Sequence, residues 1–90
     1  MADSEQMFTI PNELGLHARV ASRMVKLCAS FSSNIGLSTE DGRNANAKSV
    51  LDLLTLGAEQ GHQVTVSISG DDAHDAMTAI SDLFQNNLGD

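Results

Sequence analysis

His17 and Arg19 are the two residues whose types and spacing best suit chemistry on a phosphate. A neutral imidazole has a nucleophilic lone pair, and a guanidinium two residues further on can donate charge-assisted hydrogen bonds to anionic oxygens. His17 follows a Leu-Gly-Leu turn, and both residues lie at the start of an amphipathic segment. The pair indicates transfer of a phosphoryl group to the histidine, and the alternative is an ordinary surface histidine at a helix start.

The start of the first predicted helix should assist this chemistry, because the leading N–H groups of a helix have no partner inside it. We expect the N–H groups around Gly15, Leu16 and Ala18 to support an anion held at His17. The positive end of the helix dipole disfavours an imidazolium and stabilises a nearby exposed anion by about 0.3–1 kcal/mol. A contribution of that size helps to hold a phosphoryl group without trapping it.

The remaining histidines and the single cysteine indicate no second chemical site. His62 lies in a Gly-rich turn and His74 in the first turn of the last helix, so both are predicted at the surface. No carboxylate pattern links the three histidines, and we therefore expect no metal and no cofactor. Cys28 cannot form an internal disulfide; we interpret it as a small core residue of a protein in a reducing compartment.

The composition limits the class of protein further. Ninety residues, 41% of them hydrophobic, suit one domain over residues 1–90. No apolar run approaches the ~18–20 residues of a membrane span, and the acidic first segment is unlike a secretion signal. A net charge of −7 argues against a nucleic-acid partner. We expect a cytoplasmic monomer that inserts in no membrane.

The hydropathy pattern predicts seven elements in the order β-α-β-β-α-β-α. The strands are expected over 7–10, 34–39, 43–46 and 63–69, and the helices over 17–30, 49–56 and 73–84. Ser49 and Asp52 match a capping box, in which the hydroxyl accepts from a backbone N–H and the carboxylate reaches back. Alternation in the last strand predicts a sheet with one wet face. The expected fold is α+β, a two-layer open-faced sandwich with three helices on one face of a four-stranded antiparallel sheet.

The string Asn-Glu-Leu-Gly-Leu-His-Ala-Arg, from Asn12 to Arg19, resembles the active-site signature of the HPr family. These are the histidine phosphocarriers of bacterial phosphotransferase systems. The resemblance extends to 47–50 and 64–84, and thus covers nearly the whole chain. It implies that His17 accepts a phosphoryl group on Nδ1 from phosphorylated enzyme I, with phosphoenolpyruvate upstream, and donates it to an enzyme IIA-type protein. It also implies a stoichiometric carrier rather than an enzyme, with Arg19 neutralising charge.

Two further assignments follow from the resemblance. Ser49 matches a serine that a dedicated HPr kinase phosphorylates in many Gram-positive members, although a helix cap explains the same serine. The expected partner-docking residues are Val20, Arg23, Met24, Val50, Leu51 and Leu54. Because the short second helix cannot bury all of its apolar residues, we expect some of them to remain exposed beside His17.

The sequence departs from the family pattern at two positions. Val20 replaces the usual proline, which leaves an extra N–H donor at the helix start. Asp52 stands where several sugar-branch carriers have a basic residue, and a carboxylate there would weaken docking onto an acidic partner. The departures favour a nitrogen-type, NPr-like or other regulatory branch over general sugar uptake. They also leave open a non-transferring interaction module that uses the same docking face.

Overall fold

The computed structural model describes residues 2–90 as helices packed on an antiparallel sheet. The strands are β1 (Ser4–Thr9), β2 (Asn34–Thr39), β3 (Asn44–Asn46) and β4 (Gln63–Ser69), and the helices are α1 (Ala18–Cys28), α2 (Val50–Leu56) and α3 (Ala73–Gln85). The strand order is β1-β4-β2-β3, and every pair is antiparallel. The predicted open-faced sandwich is confirmed. Within the described range, no helix is long and apolar enough to cross a bilayer.

The two faces of the sheet differ as the alternation in β4 predicts. The three apolar residues of β4 are buried, and the Thr and Ser residues between them are only half-buried. β2 continues the apolar face with Ile35 and Leu37, which lie opposite Ile68 and Val66 of β4. Burial of these residues against the helices leaves the other face of the sheet to the solvent.

An aromatic contact and a buried cysteine show how the helices cover the sheet. Phe84 of α3 stacks on Phe8 of β1, with ring centroids 4.3 Å apart and an interplanar angle of 7°. Cys28, in the last turn of α1, is fully buried. Burial raises the pKa of its thiol to about 11, the direction expected where a thiolate would be poorly solvated. Cys28 is therefore an inert core residue, as predicted.

The bounds of five elements differ from those predicted, and α2 and α3 differ by only one residue each. β1 begins at Ser4 rather than at residue 7, because its backbone pairs with β4 as far as Ser4 opposite Ile68. That pairing needs no apolar side chains, so the Ser-Glu-Gln segment shows no hydrophobic signal. α1 is shorter than predicted, since His17 is its N-cap and Ala29 its C-cap. β3 is a three-residue strand that begins at Asn44, one residue later than expected.

The start of α2 forms only half of the predicted capping box. The hydroxyl of Ser49 accepts a hydrogen bond from Asp52 N at 3.2 Å, as expected. The Asp52 carboxylate, however, accepts from Asn46 N at 3.1 Å. The reciprocal bond to Ser49 N was predicted wrongly, because that N–H already donates to Asn46 O at 2.9 Å in the turn after β3.

Replacing Ser49 with alanine should destabilise the fold by about 1 kcal/mol, since a helix N–H loses its capping acceptor. The measurement is the free energy of unfolding from urea titration. Ser22→Ala is the matched control, because Ser22 is exposed within α1 and alanine is a better helix former. If Ser49→Ala is no more destabilising than Ser22→Ala, the cap contributes nothing.

A short turn of 3-10 type, Asn87–Gly89, follows α3 and was not predicted. We call it the left-handed turn, because Asn87, Leu88 and Gly89 all have positive φ, at 61°, 56° and 74°. The side chain of Leu88 is fully buried. Arg23 of α1 donates from Nη1 to Leu88 O at 3.0 Å. The turn thus directs the chain after α3 back towards α1.

Candidate functional site

His17 is the N-cap of α1, with extended backbone angles of φ −77° and ψ 175°. Its carbonyl accepts the first helical hydrogen bond, from Ala21 N at 2.9 Å. The N–H groups of Ala18, Arg19 and Val20 precede that bond, so they are the donors for which the helix itself has no acceptor. The candidate nucleophile therefore lies at the positive end of the α1 dipole.

The loop before α1 is more fully hydrogen-bonded than predicted. Gly15 N donates to Asn12 O at 3.2 Å, and Leu16 N donates to Ala58 O at 3.1 Å. The prediction that these two N–H groups support an anion is therefore wrong, since both are used to hold the loop against the segment after α2. Of the three predicted supporting N–H groups, only that of Ala18 stays a candidate.

A carboxylate from the far end of the chain, that of Asp90, lies between His17 and Arg19. Its Oδ2 accepts from His17 Nε2 at 2.9 Å and from Asn12 Nδ2 at 3.0 Å. Its Oδ1 accepts from Arg19 Nε at 3.1 Å and also from Arg19 Nη2. The hydrogen bonds from Arg19, Asn12 and His17, in that order, hold the pKa of the Asp90 carboxyl well below its ordinary value of 3.8. We call these donors of Asn12, His17 and Arg19 the anion cradle.

The contact with Asp90 also determines which nitrogen of His17 carries hydrogen. An ionised carboxylate only accepts hydrogen bonds, so the hydrogen is assigned to Nε2 of the His17 ring. In a neutral ring this leaves the lone pair on Nδ1. Nδ1 has no hydrogen-bond partner among residues 2–90. The atom that the family resemblance implies as the phosphoryl acceptor is thus the one with the uncommitted lone pair.

Asn12 and Asp90 are the members of the site to which the sequence assigned no role. Asn12 is buried, and its Nδ2 also donates to Gly15 O at 2.8 Å, which fixes the side chain inside the loop. Its Oδ1 is buried without a partner among the described residues. A Pro-Asn pair in a turn could have indicated a structural side chain at Asn12. No local signal could have indicated Asp90, which is 73 residues from His17.

Arg19 and Arg23 lie on α1 but have different surroundings. The Arg19 side chain is 62% exposed and makes its ion pair with Asp90, so its guanidinium can also reach an incoming anion. Arg23 is half-buried and donates to the main chain of Leu88. Its predicted docking role stays a prediction, whereas its structural contact holds the left-handed turn on α1.

The predicted docking face is wrong for two of its residues. Val20 and Met24 are fully buried, because the apolar stripe of α1 packs against the sheet and no part of either side chain remains for a partner. On α2, Val50 is half-buried and packs on the core. Leu51 is 73% exposed, and Leu54 is also exposed.

Leu14 is an exposed apolar residue that was not among the predicted docking residues. It lies in the loop before α1, which contacts the segment after α2 through the hydrogen bond from Leu16 N to Ala58 O. Leu14, Leu51 and Leu54 are therefore the apolar side chains that a partner could cover near the site. The signal for Leu14 was its place in a turn, where a large apolar residue is seldom buried.

Residues 4–86 match the sequence profile of the family described as the HPr component phosphorylation site of the phosphotransferase system. The chain is 44% identical over 86 residues to phosphocarrier protein HPr of Xylella fastidiosa strain Temecula1, with 96% of each chain covered. It is 38% identical over 82 residues to HPr of Cupriavidus necator, with 91% of each covered. A crystal structure of HPr from Thermoanaerobacter tengcongensis superposes with a TM-score of 0.90 at 37% identity, covering 97% of both chains. The chain thus belongs to the HPr family, the phosphocarriers of the phosphotransferase system.

Proposed function

We propose that His17 accepts a phosphoryl group from phosphorylated enzyme I and passes it to an enzyme IIA-type protein. The observation that carries this proposal is the place of His17 at the N-cap of α1, beside the Arg19 guanidinium and the leading N–H groups of the helix. Membership of a phosphocarrier family supports the same chemistry. The protein acts stoichiometrically, since each phosphoryl group accepted is given up before the next one binds.

The transfer requires one bond to form as another breaks. The Nδ1 lone pair of His17 attacks phosphorus, and the bond between phosphorus and its donor atom on enzyme I breaks with its electron pair left on the donor. On donation, Nδ1 recovers its electron pair as phosphorus bonds to the acceptor. Negative charge on the phosphoryl oxygens is stabilised by Arg19 and by the N–H groups of α1, so positioning and electrostatics supply most of the catalysis.

Incubation with phosphoenolpyruvate, Mg²⁺ and the cognate enzyme I tests the proposal. We expect one acid-labile phosphoryl group per chain, located on His17 by mass spectrometry of the intact and digested protein. His17→Ala should remain unlabelled. His62→Ala is the matched control and should be labelled fully, because His62 is an exposed histidine in a turn outside the cradle. Labelling of His17→Ala, or an unlabelled wild type, contradicts the proposal.

The second candidate is a non-transferring interaction module, which the exposed Leu14, Leu51 and Leu54 favour. These side chains suit protein contact whether or not a phosphoryl group moves. A partner that binds wild type and His17→Ala equally, together with no uptake of phosphate, would identify the module. Loss of phosphate from labelled protein on addition of an enzyme IIA-type protein would identify the carrier.

The preference for a regulatory branch rests on Val20 and Asp52. The Asp52 carboxylate is engaged by Asn46 N, so it has a structural role that does not depend on partners. Phosphorylation of Ser49 by a kinase stays a prediction. The hydroxyl oxygen of Ser49 caps α2, and this role explains the serine without a kinase. Comparison of sugar-type and nitrogen-type enzyme IIA proteins as acceptors decides the branch.

A further inference from the structure

The cradle at His17 is occupied by an anion that belongs to the chain itself. Resting on the carrier function proposed above, we propose that Asp90 is an internal competitor for the anion cradle. Asp90 holds Arg19 while His17 is unphosphorylated and releases it when an external anion binds. The role concerns regulation of the site, because it sets how readily the carrier accepts a phosphoryl group and gives it away.

Competition follows from the donors that Asp90 uses. Arg19 directs both Nε and Nη2 at Oδ1 of Asp90, and this edge of the guanidinium is the one suited to phosphate oxygens. The Asp90 side chain is only 9% exposed, so its carboxylate fills the space among the three donors. One guanidinium edge cannot bind both anions in this way, and the two negative charges repel each other.

The left-handed turn shows that the fold itself places Asp90 in the cradle. Positive φ is rare for a large apolar residue, yet Leu88 adopts it with φ 56°. The buried Leu88 side chain anchors the turn in the core. Asp90 N donates to Asn87 O at 3.0 Å, and Asn87 Nδ2 donates to Asp90 O at 3.1 Å. A chance ion pair between mobile side chains would need no strained backbone and no buried anchor.

The contact is nevertheless weak enough to be reversed. The Arg19 side chain is largely exposed, and solvent screens an ion pair of this kind. A phosphoryl group carries more negative charge than one carboxylate and should compete successfully for Arg19. When the phosphoryl group leaves, Asp90 regains Arg19. This recovery favours donation over retention.

Titration of the full chain with inorganic phosphate at constant ionic strength tests the proposal without enzyme I. The amide signals of Ala18 and Arg19 report binding by NMR. We expect Asp90→Asn to bind phosphate about 3- to 10-fold more tightly than wild type, because an ordinary charge-assisted contact no longer competes. Adding Arg19→Ala to Asp90→Asn should abolish this gain. Any affinity tag belongs at the other end of the chain.

Asp71→Asn is the matched control, since it removes the same charge from an exposed residue. Its neighbour Asp72 accepts hydrogen bonds from Ser32 N and Ser33 N, beyond the last turn of α1, so Asp71 lies at the opposite end of that helix. Asp71→Asn should keep the wild-type affinity for phosphate. An equal gain in Asp71→Asn would show a general charge effect and would overturn the proposal.

Asp90→Ala provides a second variant in which the carboxylate is absent. Contacts of the Leu88 methyl groups with the core, measured by NMR, show whether the left-handed turn stays in place. If neither variant binds phosphate more tightly than wild type, the role of Asp90 is overturned, even if His17 is phosphorylated normally. A gain with no phosphorylation by enzyme I leaves the competitor intact and refutes the proposed carrier function instead.

Discussion

Arg19→Ala should slow phosphoryl transfer to His17 by about 10²-fold or more, the usual effect of removing one positioned donor from a developing anion. The guanidinium is beside His17, and its Nε and Nη2 already bind a carboxylate there. Arg19→Lys should recover part of the rate, because it restores the positive charge without the paired N–H donors. The expected order of rates is wild type, Arg19→Lys, Arg19→Ala.

The measurement is the single-turnover rate of transfer from phosphorylated enzyme I, followed by rapid quenching. Lys26→Ala is the matched control, since Lys26 is an exposed basic residue in the last turn of the same helix. It changes the net charge equally but lies away from the cradle. If both alanine variants slow transfer by the same factor, Arg19 acts only through the overall field of the protein.

Gly15→Ala should lower the free energy of unfolding by about 3 kcal/mol, the sum of backbone strain and overpacking. Gly15 has φ +64°, and an added Cβ would lie 2.5 Å from Ala58 O and 3.0 Å from Glu59 Cα. Both of these neighbours are backbone atoms that cannot turn aside as a flexible side chain would. Because Leu16 N holds the same loop on Ala58 O, the substitution should also displace His17.

Gly42→Ala separates the two causes of this destabilisation. Gly42 also has positive φ, +89°, but an added Cβ there would meet nothing within 4 Å. Its cost should be the backbone strain alone, about 1–2 kcal/mol. Urea unfolding measures both free energies, and the imidazole proton signals of His17 report displacement of the ring. Equal destabilisation by the two substitutions would exclude the steric contact with Ala58.

The fold could be predicted largely from local patterns. The strict alternation of β4 and the apolar stripe of α1 each depend on neighbours within a few residues. The type of each element and its buried face can therefore be predicted from the sequence. The extent of β1 could not be predicted in this way, because Ser4 pairs with β4 through its backbone. The left-handed turn was missed because Leu88, a large apolar residue, has positive φ within it and is buried in the core.

The docking surface shows why the burial of individual apolar residues cannot always be predicted from the sequence. Val20 belongs to the regularly spaced apolar stripe of α1, whereas α2 is apolar at five of its seven positions, so spacing does not show which residues of α2 are buried. α1 packs its apolar stripe on the sheet and buries Val20 fully, whereas no described element covers Leu51. Only the packing of the helices decides which apolar side chains are left for a partner.

By itself, the sequence determined that His17 and Arg19 stand together at the start of α1, because two positions in one turn of chain cannot lie far apart. It could not determine which groups they contact. The tertiary structure alone decided that Asp90 meets Arg19 across 71 residues of chain. That contact depends on where α3 ends and on how the buried Leu88 turns the chain, and no short-range spacing encodes either.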